Sequence, residues 1–369
     1  MSSADYWIRR SPFFEATLRA GCGRFSFANH MYQPATYGDP LEEYWKLVTG
    51  VTLWDVGTER QVEITGTDAF SFTNALTPRD LRSCPVGRCR YVLVTTPDGG
   101  IVNDPVLLRL GESHFWLSTS DSDLLLWAKG VALNSGLEVE IHEPDVSPVQ
   151  IQGPSSPAVI ARLFDGRVVL DPYQFVETDL GGVPVVVSRT GWSGEVGYEI
   201  FLRDGRYGDL LWERVLAAGE PSGIAVTGPS DINRVEAGIL GYRSDIDLGT
   251  NPYEVGLERL VDLDAPADFI GKPALARIRE AGVSRSLVGV EIAGDPLPEP
   301  FQARWPVMVD GGAVGDVTVA VYSPRLEKNI GYAMVGVAHS ALGTRLDVQA
   351  PWGVATATVA EKPFIKPTK

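Results

Sequence analysis

The chain has 369 residues, of which 44% are hydrophobic and 21% are charged, and its formal net charge at pH 7 is −15. A chain of this length is too long for one comfortable core, so we expect two or three domains. The acidic balance argues against nucleic acid as a partner, because there is no basic stripe to displace counterions from phosphates. We expect no membrane partner either, since no stretch approaches the roughly 18 consecutive apolar residues of a membrane span.

Cysteines, histidines and the N-terminal residues bear on compartment and metal binding. The three cysteines, Cys22, Cys84 and Cys89, form no disulfide framework. No two of the four histidines are close enough in sequence to suggest a metal motif. The first residues lack the apolar run of a signal peptide. We therefore expect a reduced, metal-free protein of the cytoplasm.

Strand-like and helix-like patterns are mixed through the first three quarters of the chain. Alternating or β-branched runs predict strands at 61–66, 90–96, 102–110, 114–120 and 137–143. The stretch Pro97-Asp98-Gly99-Gly100 is typical of a hairpin turn. Capping residues and helical spacing predict helices over 121–136, 208–219 and 230–240.

The last ninety or so residues have a different character. From Ser286 onward the sequence contains only short strands, and turn residues recur every eight to twelve positions. This pattern predicts a separate small antiparallel barrel or sandwich, with its boundary near 276–286.

Asn103, Asp104 and Pro105 place an amide and a carboxylate at the mouth of an apolar strand. One interpretation is a strand-end acid that binds backbone amides. The other is a carboxylate held near a reacting nitrogen, where it accepts a proton or stabilises a positive charge. One acid alone does not distinguish between the two.

Residues 188–202, SRTGWSGEVGYEIFL, concentrate glycines, aromatics and acids. The glycines allow backbone turns and close approach of a ligand. Trp192 and Tyr198 are candidates to stack on a flat ring or to face a cation. Glu199 is a candidate to accept two hydrogen bonds from an amino-pyrimidine edge. The alternative is a glycine-rich hairpin with a surface acid.

Residues 231–242, DINRVEAGILGY, carry Arg234 two positions before Glu236, so these side chains point to different sides of the predicted helix. Arg234 is either a solvated helix charge or the partner of a ligand carboxylate or active-site acid. The small pair Ala237-Gly238 allows this helix to pack closely.

Aromatic residues near the N-terminus are the fourth candidate feature. We expect most of them to pack in the core. A few are candidates for a box around a sulfonium or ammonium methyl group, because ring faces attract such cations; here Trp7 and Tyr32 would act with Trp192. The group comprises Tyr6, Trp7, Phe13, Phe14, Tyr32, Tyr37, Tyr44, Trp45 and Trp54.

The order of several motifs resembles the folate-dependent aminomethyltransferase family, which includes the T-protein of the glycine cleavage system. These motifs are WDVGTERQVEITGTDA (54–69), TPRDL (77–81), GGIVNDP (99–105), GWSGEVGYEI (191–200), NRVEAGILGY (233–242), NPYEVGL (251–257) and DFIGKPAL (268–275). Within the family, the chain is most similar to dimethylsulfoniopropionate demethylases. That similarity rests on RRSPF (9–13), ERQVEI (59–64), TPRD (77–80), HFWLSTSDSDLLLWAKGVAL (114–133) and EPDVSPVQIQGP (143–154).

The resemblance implies an α+β fold in which three domains form a cloverleaf around a central folate-binding hole. Two interleaved α/β domains would bind folate, and the third would be a C-terminal antiparallel β-barrel. The domains implied are 1–55 with 145–245, 56–144 with 246–280, and 281–369.

The resemblance also implies roles for single residues. Asp104 matches the family's active-site aspartate near N5 of tetrahydrofolate, where an ionised carboxylate would stabilise the cation forming at N5. Glu199 matches the glutamate that binds the amino edge of the pterin. The positions of Tyr91, Trp192 and Arg234 match, respectively, a tyrosine on the strand before the active-site turn, an aromatic in the glycine-rich turn, and the arginine of the R-x-E-A-G helix.

The activity implied is transfer of a methyl group from a small onium donor, best dimethylsulfoniopropionate, to N5 of tetrahydrofolate, with a possible homodimer as the assembly. One alternative is a folate-dependent demethylase of another S-, N- or O-methyl compound. A second is a glycine-cleavage-type aminomethyltransferase served by a lipoylated carrier protein, although Ser230 stands where the T-protein pattern has an arginine. A third is a folate-binding regulatory or assembly protein without turnover.

Overall fold

The computed structural model describes residues 7–368. Tyr6, one member of the N-terminal aromatic group, lies outside the described residues. The eight α-helices of this part of the chain are α1 (Phe14–Arg19), α2 (Pro40–Thr49), α3 (Ala69–Leu76), α4 (Leu124–Ala132), α5 (Ser156–Leu163), α6 (Gly208–Gly219), α7 (Asp231–Glu236) and α8 (Lys272–Ala281). Among residues 7–368, no helix is long and apolar enough to cross a bilayer.

The strands alternate with these helices up to α8 and then follow one another without α-helices. They are β1 (Arg24–Ala28), β2 (Met31–Thr36), β3 (Thr52–Asp55), β4 (Gln61–Thr65), β5 (Cys89–Tyr91), β6 (Val94–Thr95), β7 (Ile101–Asn103), β8 (Val106–Gly111), β9 (His114–Ser118), β10 (Glu140–His142), β11 (Ser147–Gln152), β12 (Phe175–Leu180), β13 (Val183–Ser188), β14 (Gly197–Leu202), β15 (Ala225–Val226), β16 (Arg285–Ile292), β17 (Trp305–Val309), β18 (Gly312–Ser323), β19 (Lys328–Gly336), β20 (Arg345–Ala350) and β21 (Gly353–Ala360).

A six-stranded sheet of order β12-β13-β14-β11-β3-β15 forms the centre of the structure. Its strands are antiparallel except for the parallel pair of β3 and β15. One face packs on α5 and α6 through an apolar core that includes Phe13, Ile200 and Trp212. Because side chains alternate along a strand, Glu199 points to the opposite face.

A five-stranded sheet of order β10-β4-β9-β8-β5 packs against the six-stranded sheet. Leu108 and Trp116 of this sheet share a buried cluster with Val186 and Phe201 of the other. Its far face is covered by α3 and α4, with Phe72, Phe115 and Leu124 in the core between them.

The remaining strands form two small pairs and a closed barrel. β1 pairs with β2, and β6 pairs with β7. The barrel has the order β16-β19-β18-β17-β20-β21 and closes through the pairing of β21 with β16. A mixed α and β fold that ends in an antiparallel barrel was predicted, and this prediction is confirmed. The domain boundaries stay a prediction.

Several predicted elements differ in extent from those observed. The helix predicted over 230–240 is the shorter α7, and the strand predicted at 137–143 is the shorter β10. The predicted strand 90–96 is β5 and β6, which pair with different strands, β8 and β7. The predicted strand 102–110 divides at Asp104-Pro105 into β7 and β8. The predicted helix 121–136 is shorter as α4, because the residues before it bond to other segments: Ser120 O and Asp121 Oδ1 both accept hydrogen bonds from Asn29.

Candidate active site

A cavity of about 520 Å³ lies on the face of the six-stranded sheet that is turned away from α5 and α6. Its walls come from the β1–β2 hairpin, both large sheets, α7 and the C-terminal residues Pro367 and Thr368. Six acidic residues and three arginines line it: Glu59, Asp104, Asp121, Glu195, Glu199 and Asp231 with Arg189, Arg234 and Arg259. The predicted site residues that line the cavity are Tyr91, Asp104, Trp192, Glu199 and Arg234.

Asp104 lies between β7 and β8 and is 8% exposed. Its Oδ1 accepts a hydrogen bond from the Ser120 hydroxyl at 2.5 Å, and its Oδ2 accepts one from the Tyr91 hydroxyl at 2.9 Å. Both carboxylate oxygens are therefore held by neutral donors, which fix the plane of the group without neutralising its charge.

Asn103 explains why an amide precedes this acid. Its side chain is fully buried, and Nδ2 donates to the Ser120 carbonyl at 3.1 Å and to the Ser122 hydroxyl at 2.7 Å. Its Oδ1 accepts from the Ser120 backbone N–H at 3.2 Å. Asn29 Nδ2 donates to the same Ser120 carbonyl at 2.9 Å. Two buried amides thus hold the backbone of Ser120, the residue that bonds to Asp104.

Burial is the main influence on the ionisation of this group. Removal from water disfavours the charged carboxylate and raises the pKa of Asp104 to about 6, although hydrogen bonds from Ser120 and Tyr91 act in the opposite direction. Burial, reinforced by the charge of Asp104, also raises the pKa of Tyr91 well above its ordinary value. At neutral pH the pair is therefore a carboxylate that accepts a hydrogen bond from a neutral phenol.

Glu199 lies in a row of polar side chains across three neighbouring strands. It pairs with Gln150 on β11 and with Ser188 on β13. Gln150 Nε2 donates to Glu199 Oε1 at 2.6 Å, and Oε2 accepts from Thr190 and, at 3.4 Å, from Ser188. Burial raises the pKa of Glu199 and these donors oppose that rise. A carboxylate with lone pairs still open on the cavity side can accept further N–H donors.

Glu59, which sequence reasoning did not single out, also lines the cavity. Gln150 Nε2 donates to Glu59 Oε1 at 3.1 Å as well as to Glu199. Burial and the neighbouring charge of Glu199 raise the pKa of Glu59 well above its ordinary value. Two carboxyl groups on the cavity wall therefore accept hydrogen bonds from the same amide nitrogen.

Arg234 on α7 is 3% exposed, so it is not a solvated helix charge. Its Nε donates to Asp231 at 2.5 Å and its NH1 to the buried Asp245 at 2.7 Å. The guanidinium carbon lies 5.7 Å from the centre of the Trp192 ring. Arg234 thus forms one wall of the cavity, with its charge balanced by two acids of the chain.

The glycines of residues 191–197 make room for neighbouring side chains. Gly194 has φ +76°, and a Cβ there would lie 2.3 Å from Ala237 Cβ at the end of α7. Cβ atoms at Gly191 and Gly197 would both come within 2.3 Å of the Gln152 side chain. Gln152 in turn accepts the Ser193 hydroxyl at 2.7 Å. The turn is therefore packed from both sides, which is a correction to the alternative of a surface hairpin.

The structure does not bring three predicted residues to the cavity. Tyr198 is a neighbour of Glu199 on β14, so strand alternation points its side chain into the opposite core. Trp7 is 84% exposed and is not part of the cavity wall. Tyr32 packs against the rings of Phe14, Phe25 and Phe27 instead. The β1–β2 hairpin does line the cavity, through Ala28, Asn29 and Gln33.

Ser120 and Gln150 are further residues that sequence reasoning missed. The position of Ser120 opposite Asp104 could have been predicted from the register of one hairpin. The β8–β9 hairpin pairs Val106 with Ser118, and the same register extended by two residues sets Asp104 opposite Ser120. No comparable signal existed for Gln150, because its contact with Glu199 joins residues 49 apart in sequence.

No group of three or more His, Cys, Asp or Glu residues within 7–368 is arranged to hold a metal ion. The chemistry that the described side chains can supply is instead recognition and electrostatic stabilisation. One ionised carboxylate faces the cavity at Asp104, and a hydrogen-bonding pair faces it at Glu59 and Glu199. This is a site suited to a ligand that carries N–H donors and develops positive charge.

Comparison with known proteins was made at the level of domain, sequence and structure. The GCVT N-terminal domain matches residues 13–265, and the glycine cleavage T-protein C-terminal barrel domain matches residues 285–366. A dimethylsulfoniopropionate demethylase from Ruegeria pomeroyi is 38% identical over 96% of each chain. An aminomethyltransferase from Symbiobacterium thermophilum is 33% identical over 97% of this chain and 98% of the relative.

The crystal structure of the glycine cleavage system aminomethyltransferase T from Bartonella henselae has the same fold. The TM-score is 0.88 at 24% sequence identity, and the match covers 98% of this chain and 99% of that one. The family predicted from the motifs is confirmed, and enzymes of this family use tetrahydrofolate. On its two domains and its full-length relatives, the chain belongs to the glycine cleavage T-protein family of folate-dependent methyl and aminomethyl transferases.

Proposed function

We propose that this chain is a tetrahydrofolate-dependent methyltransferase that demethylates a small onium compound. The methyl group would move to N5 of tetrahydrofolate, giving 5-methyltetrahydrofolate, and dimethylsulfoniopropionate is the donor we favour. The observation that carries the proposal is Asp104, a buried carboxylate on the cavity whose two oxygens are held by neutral hydroxyls. The demethylase relative at 38% identity supports this donor.

The residues present fit tetrahydrofolate. The buried carboxyl of Glu199 can accept the N–H groups of an amino-pyrimidine edge. Trp192 offers an aromatic face beside Arg234. Tyr91 and Asp104 lie on the same cavity, so a folate held at Glu199 can present its amine to Asp104. Tetrahydrofolate supplies the nitrogen nucleophile of the reaction.

Asp104 has an electrostatic role in this proposal. Its carboxylate, ionised above a pH of about 6, stabilises positive charge that develops on the attacking nitrogen. Tyr91 and Ser120 hold its oxygens in a fixed direction, so little reorganisation is needed. The N–C bond forms as the S–C bond breaks, and the electron pair leaves with sulfur as a neutral thioether. The methylated nitrogen then loses its proton to the Asp104 carboxylate or to water. No general acid is needed for that departure.

The charge of the cavity favours a cationic donor over an anionic one. Six acids and three arginines line the walls, and the whole chain carries a net charge of −15. An excess of negative charge in a concave site raises the local concentration of cations. A sulfonium or quaternary ammonium compound is therefore the donor class that the site attracts.

The test is an anaerobic incubation of the full chain with tetrahydrofolate and dimethylsulfoniopropionate, followed by mass spectrometry of both products. We expect 5-methyltetrahydrofolate and methylmercaptopropionate in equal amounts. Asp104→Asn should lower the rate by roughly a hundredfold or more while folate affinity changes little. Asp264→Asn is the matched control, because that side chain is 94% exposed. Absence of product although folate binds would exclude this donor.

Further arms of the same experiment separate the alternatives. Betaines, dimethylglycine and aryl methyl ethers test for another methyl donor. Ammonia release from an aminomethylated, lipoylated carrier would instead identify a glycine-cleavage-type aminomethyltransferase. Folate binding without transfer from any donor would indicate a binding protein.

A further inference from the structure

Glu59 is a half-buried acid to which the proposed methyl transfer gives no role. It follows β3, and its side chain lines the cavity beside Glu199. Gln150 Nε2 donates to Glu59 Oε1 at 3.1 Å and to Glu199 Oε1 at 2.6 Å. One amide nitrogen therefore holds two neighbouring acids on the cavity wall.

Of the three arginines that line the same cavity, Arg189 donates to Leu170 O and Arg234 to Asp231 and Asp245, so neither balances a second charge on the pair. Among residues 7–368, neither Glu59 nor Glu199 forms an ion pair with lysine or arginine. The charge of Glu199 also acts on Cys89 and Tyr173, whose pKa values are raised mainly by burial. Two adjacent carboxyls without a cation cannot both ionise cheaply, so one keeps its proton.

The donors present decide which acid keeps the proton. Glu199 accepts hydrogen bonds from Gln150, Thr190 and Ser188, all of which favour its ionised form. Glu59 accepts one, the longer bond from Gln150. Burial and then the charge of Glu199 raise the pKa of Glu59 well above its ordinary value. Glu59 is therefore the carboxylic acid and Glu199 the carboxylate.

We propose that Glu59 and Glu199 share one proton and together recognise a heteroaromatic ring edge that has an N–H donor beside a carbonyl acceptor. Glu199 accepts the N–H groups, and the Glu59 hydroxyl donates to the carbonyl. The 2-amino-4-oxo ring of tetrahydrofolate has this pattern, so the identity of the ligand rests on the proposed function. Glu59 is a binding residue here and takes no part in the transfer.

The proposal makes folate binding depend on a proton. As pH rises and Glu59 ionises, the site loses its donor and gains a second negative charge. We expect the affinity of the wild-type protein for tetrahydrofolate to weaken by roughly tenfold or more as pH rises through the raised pKa of Glu59. Glu59→Gln keeps an N–H donor and cannot ionise, so its affinity should change less than about threefold.

The binding experiment is a calorimetric titration of the full chain with tetrahydrofolate at several pH values. Glu280→Gln makes the same chemical change at an exposed position of α8 and should follow the wild type. Asp104 titrates in all three proteins, so the difference between their pH profiles of folate affinity reports the effect of Glu59 alone. Parallel pH profiles of wild type and Glu59→Gln would overturn the recognition role.

A measurement without ligand tests the shared proton separately. Because the pKa of Glu59 is raised in the folded state, its contribution to stability is lost as pH rises through that value. The free energy of unfolding of the wild type should therefore fall with rising pH relative to Glu59→Gln, with no folate present. A constant difference overturns the shared proton. If the wild type binds no tetrahydrofolate, the proposed function fails. The unfolding measurement still shows whether Glu59 keeps its proton in the folded protein.

If Glu59→Gln does not fold, the wild-type protein alone can still be used to test the shared proton. An isotope-edited infrared spectrum of protein labelled at glutamate side-chain carbons reports protonated carboxyl groups directly. We expect one protonated glutamate at pH 7 that disappears at higher pH. Its absence at pH 7 would overturn the inference.

Discussion

Asp104 has both oxygens bonded to hydroxyl groups, so its charge can be removed with little change of shape. Burial raises its pKa to about 6 from the ordinary 3.8. The contribution of Asp104 to the free energy of unfolding is therefore complete while pH is below its ordinary pKa. That contribution is lost as pH rises through about 6. In the proposed mechanism this cost at neutral pH keeps Asp104 ionised for the transfer reaction.

Asp104→Asn should consequently be stabilised relative to the wild type at neutral pH. We expect the difference in free energy of unfolding to move in favour of the variant by about 2–3 kcal/mol between pH 4 and pH 7, since one pKa unit corresponds to about 1.4 kcal/mol. Urea denaturation at four pH values measures it. A difference that does not vary with pH would show that Asp104 ionises at its ordinary value.

Ser120 should act through Asp104. Ser120→Ala removes the donor to Oδ1 and one of the two bonds that favour the carboxylate, so the pKa of Asp104 should rise further. We expect kcat at pH 7 to fall by roughly tenfold, the acid limb of the pH profile to move to higher pH, and KM for folate to change little. Ser122→Ala is the control, because Ser122 bonds to Asn103 and not to Asp104. Equal pH profiles for both variants would contradict this role.

At the scale of elements, the glycine-rich turn between β13 and β14 is fixed by what packs on it. Gly194 has φ +76°, and its Cα faces Ala237 at the end of α7. Gly223 has a similar φ of +65°, but a Cβ there would meet nothing within 4 Å. The two positions therefore share the backbone requirement and differ in packing.

Gly194→Ala should be more destabilising than Gly223→Ala. Gly223→Ala, the control, should lose only the unfolding free energy that a left-handed backbone costs, about 1–2 kcal/mol. Gly194→Ala also displaces α7, so it should lose about 1–3 kcal/mol more. Thermal unfolding of the two variants measures the difference. Because Trp192 and Arg234 lie on the displaced elements, folate affinity should fall in Gly194→Ala alone. Equal losses of stability would mean that the turn tolerates a side chain.

Local pattern predicted those elements whose partners are near in sequence. The helix predicted over 208–219 is α6 with the same bounds. No side chain caps its N-terminus, so its apolar spacing alone was sufficient to predict it. The strands predicted at 90–96 and 102–110 each divide in two, because long-range pairing decides where a strand ends.

The same limit applies to the residues of the site. Asp104 and Glu199 stand out in sequence because each interrupts an apolar strand. Tyr198 was assigned to the site with its neighbour Glu199, although alternate residues of a strand face opposite sides. Glu59 and Gln150 come together only when β11 lies beside β3, which no local pattern encodes.

At the scale of the molecule, one arginine of the barrel joins three side chains around the cavity wall. Arg325, in the connection between β18 and β19, donates to Glu195 at 2.8 Å, to Glu236 at 2.6 Å and to Tyr44 at 2.8 Å. Glu236 is fully buried and also accepts a bond from Ser323. Glu195 lines the cavity, so the barrel and the site share this network.

The C-terminal segment completes the same wall. After β21 the chain returns to the cavity, where the Thr368 backbone N–H donates to Gly194 O at 2.9 Å and its hydroxyl to Glu195 at 2.9 Å. Residues that line the cavity therefore come from the first matched domain and from the end of the chain, and the barrel domain supports that wall from behind through the bond of Arg325 to Glu195. We infer that docking of the barrel stabilises the cavity as well as the fold.

Arg325→Met tests this dependence. The substitution keeps the apolar stem and leaves the buried Glu236 without its cation, which should cost about 2–4 kcal/mol of unfolding free energy. Lys328→Met is the matched control in the same barrel, since its ion pair with Glu291 is half exposed and should contribute less than about 1 kcal/mol. Adding Glu236→Gln to Arg325→Met should restore part of the loss, because no buried charge then remains unpaired. Folate affinity should fall in Arg325→Met and stay unchanged in Lys328→Met. If the two single variants lose equal stability and bind folate alike, the barrel is attached by its apolar contacts, and the arginine network has no part in shaping the site.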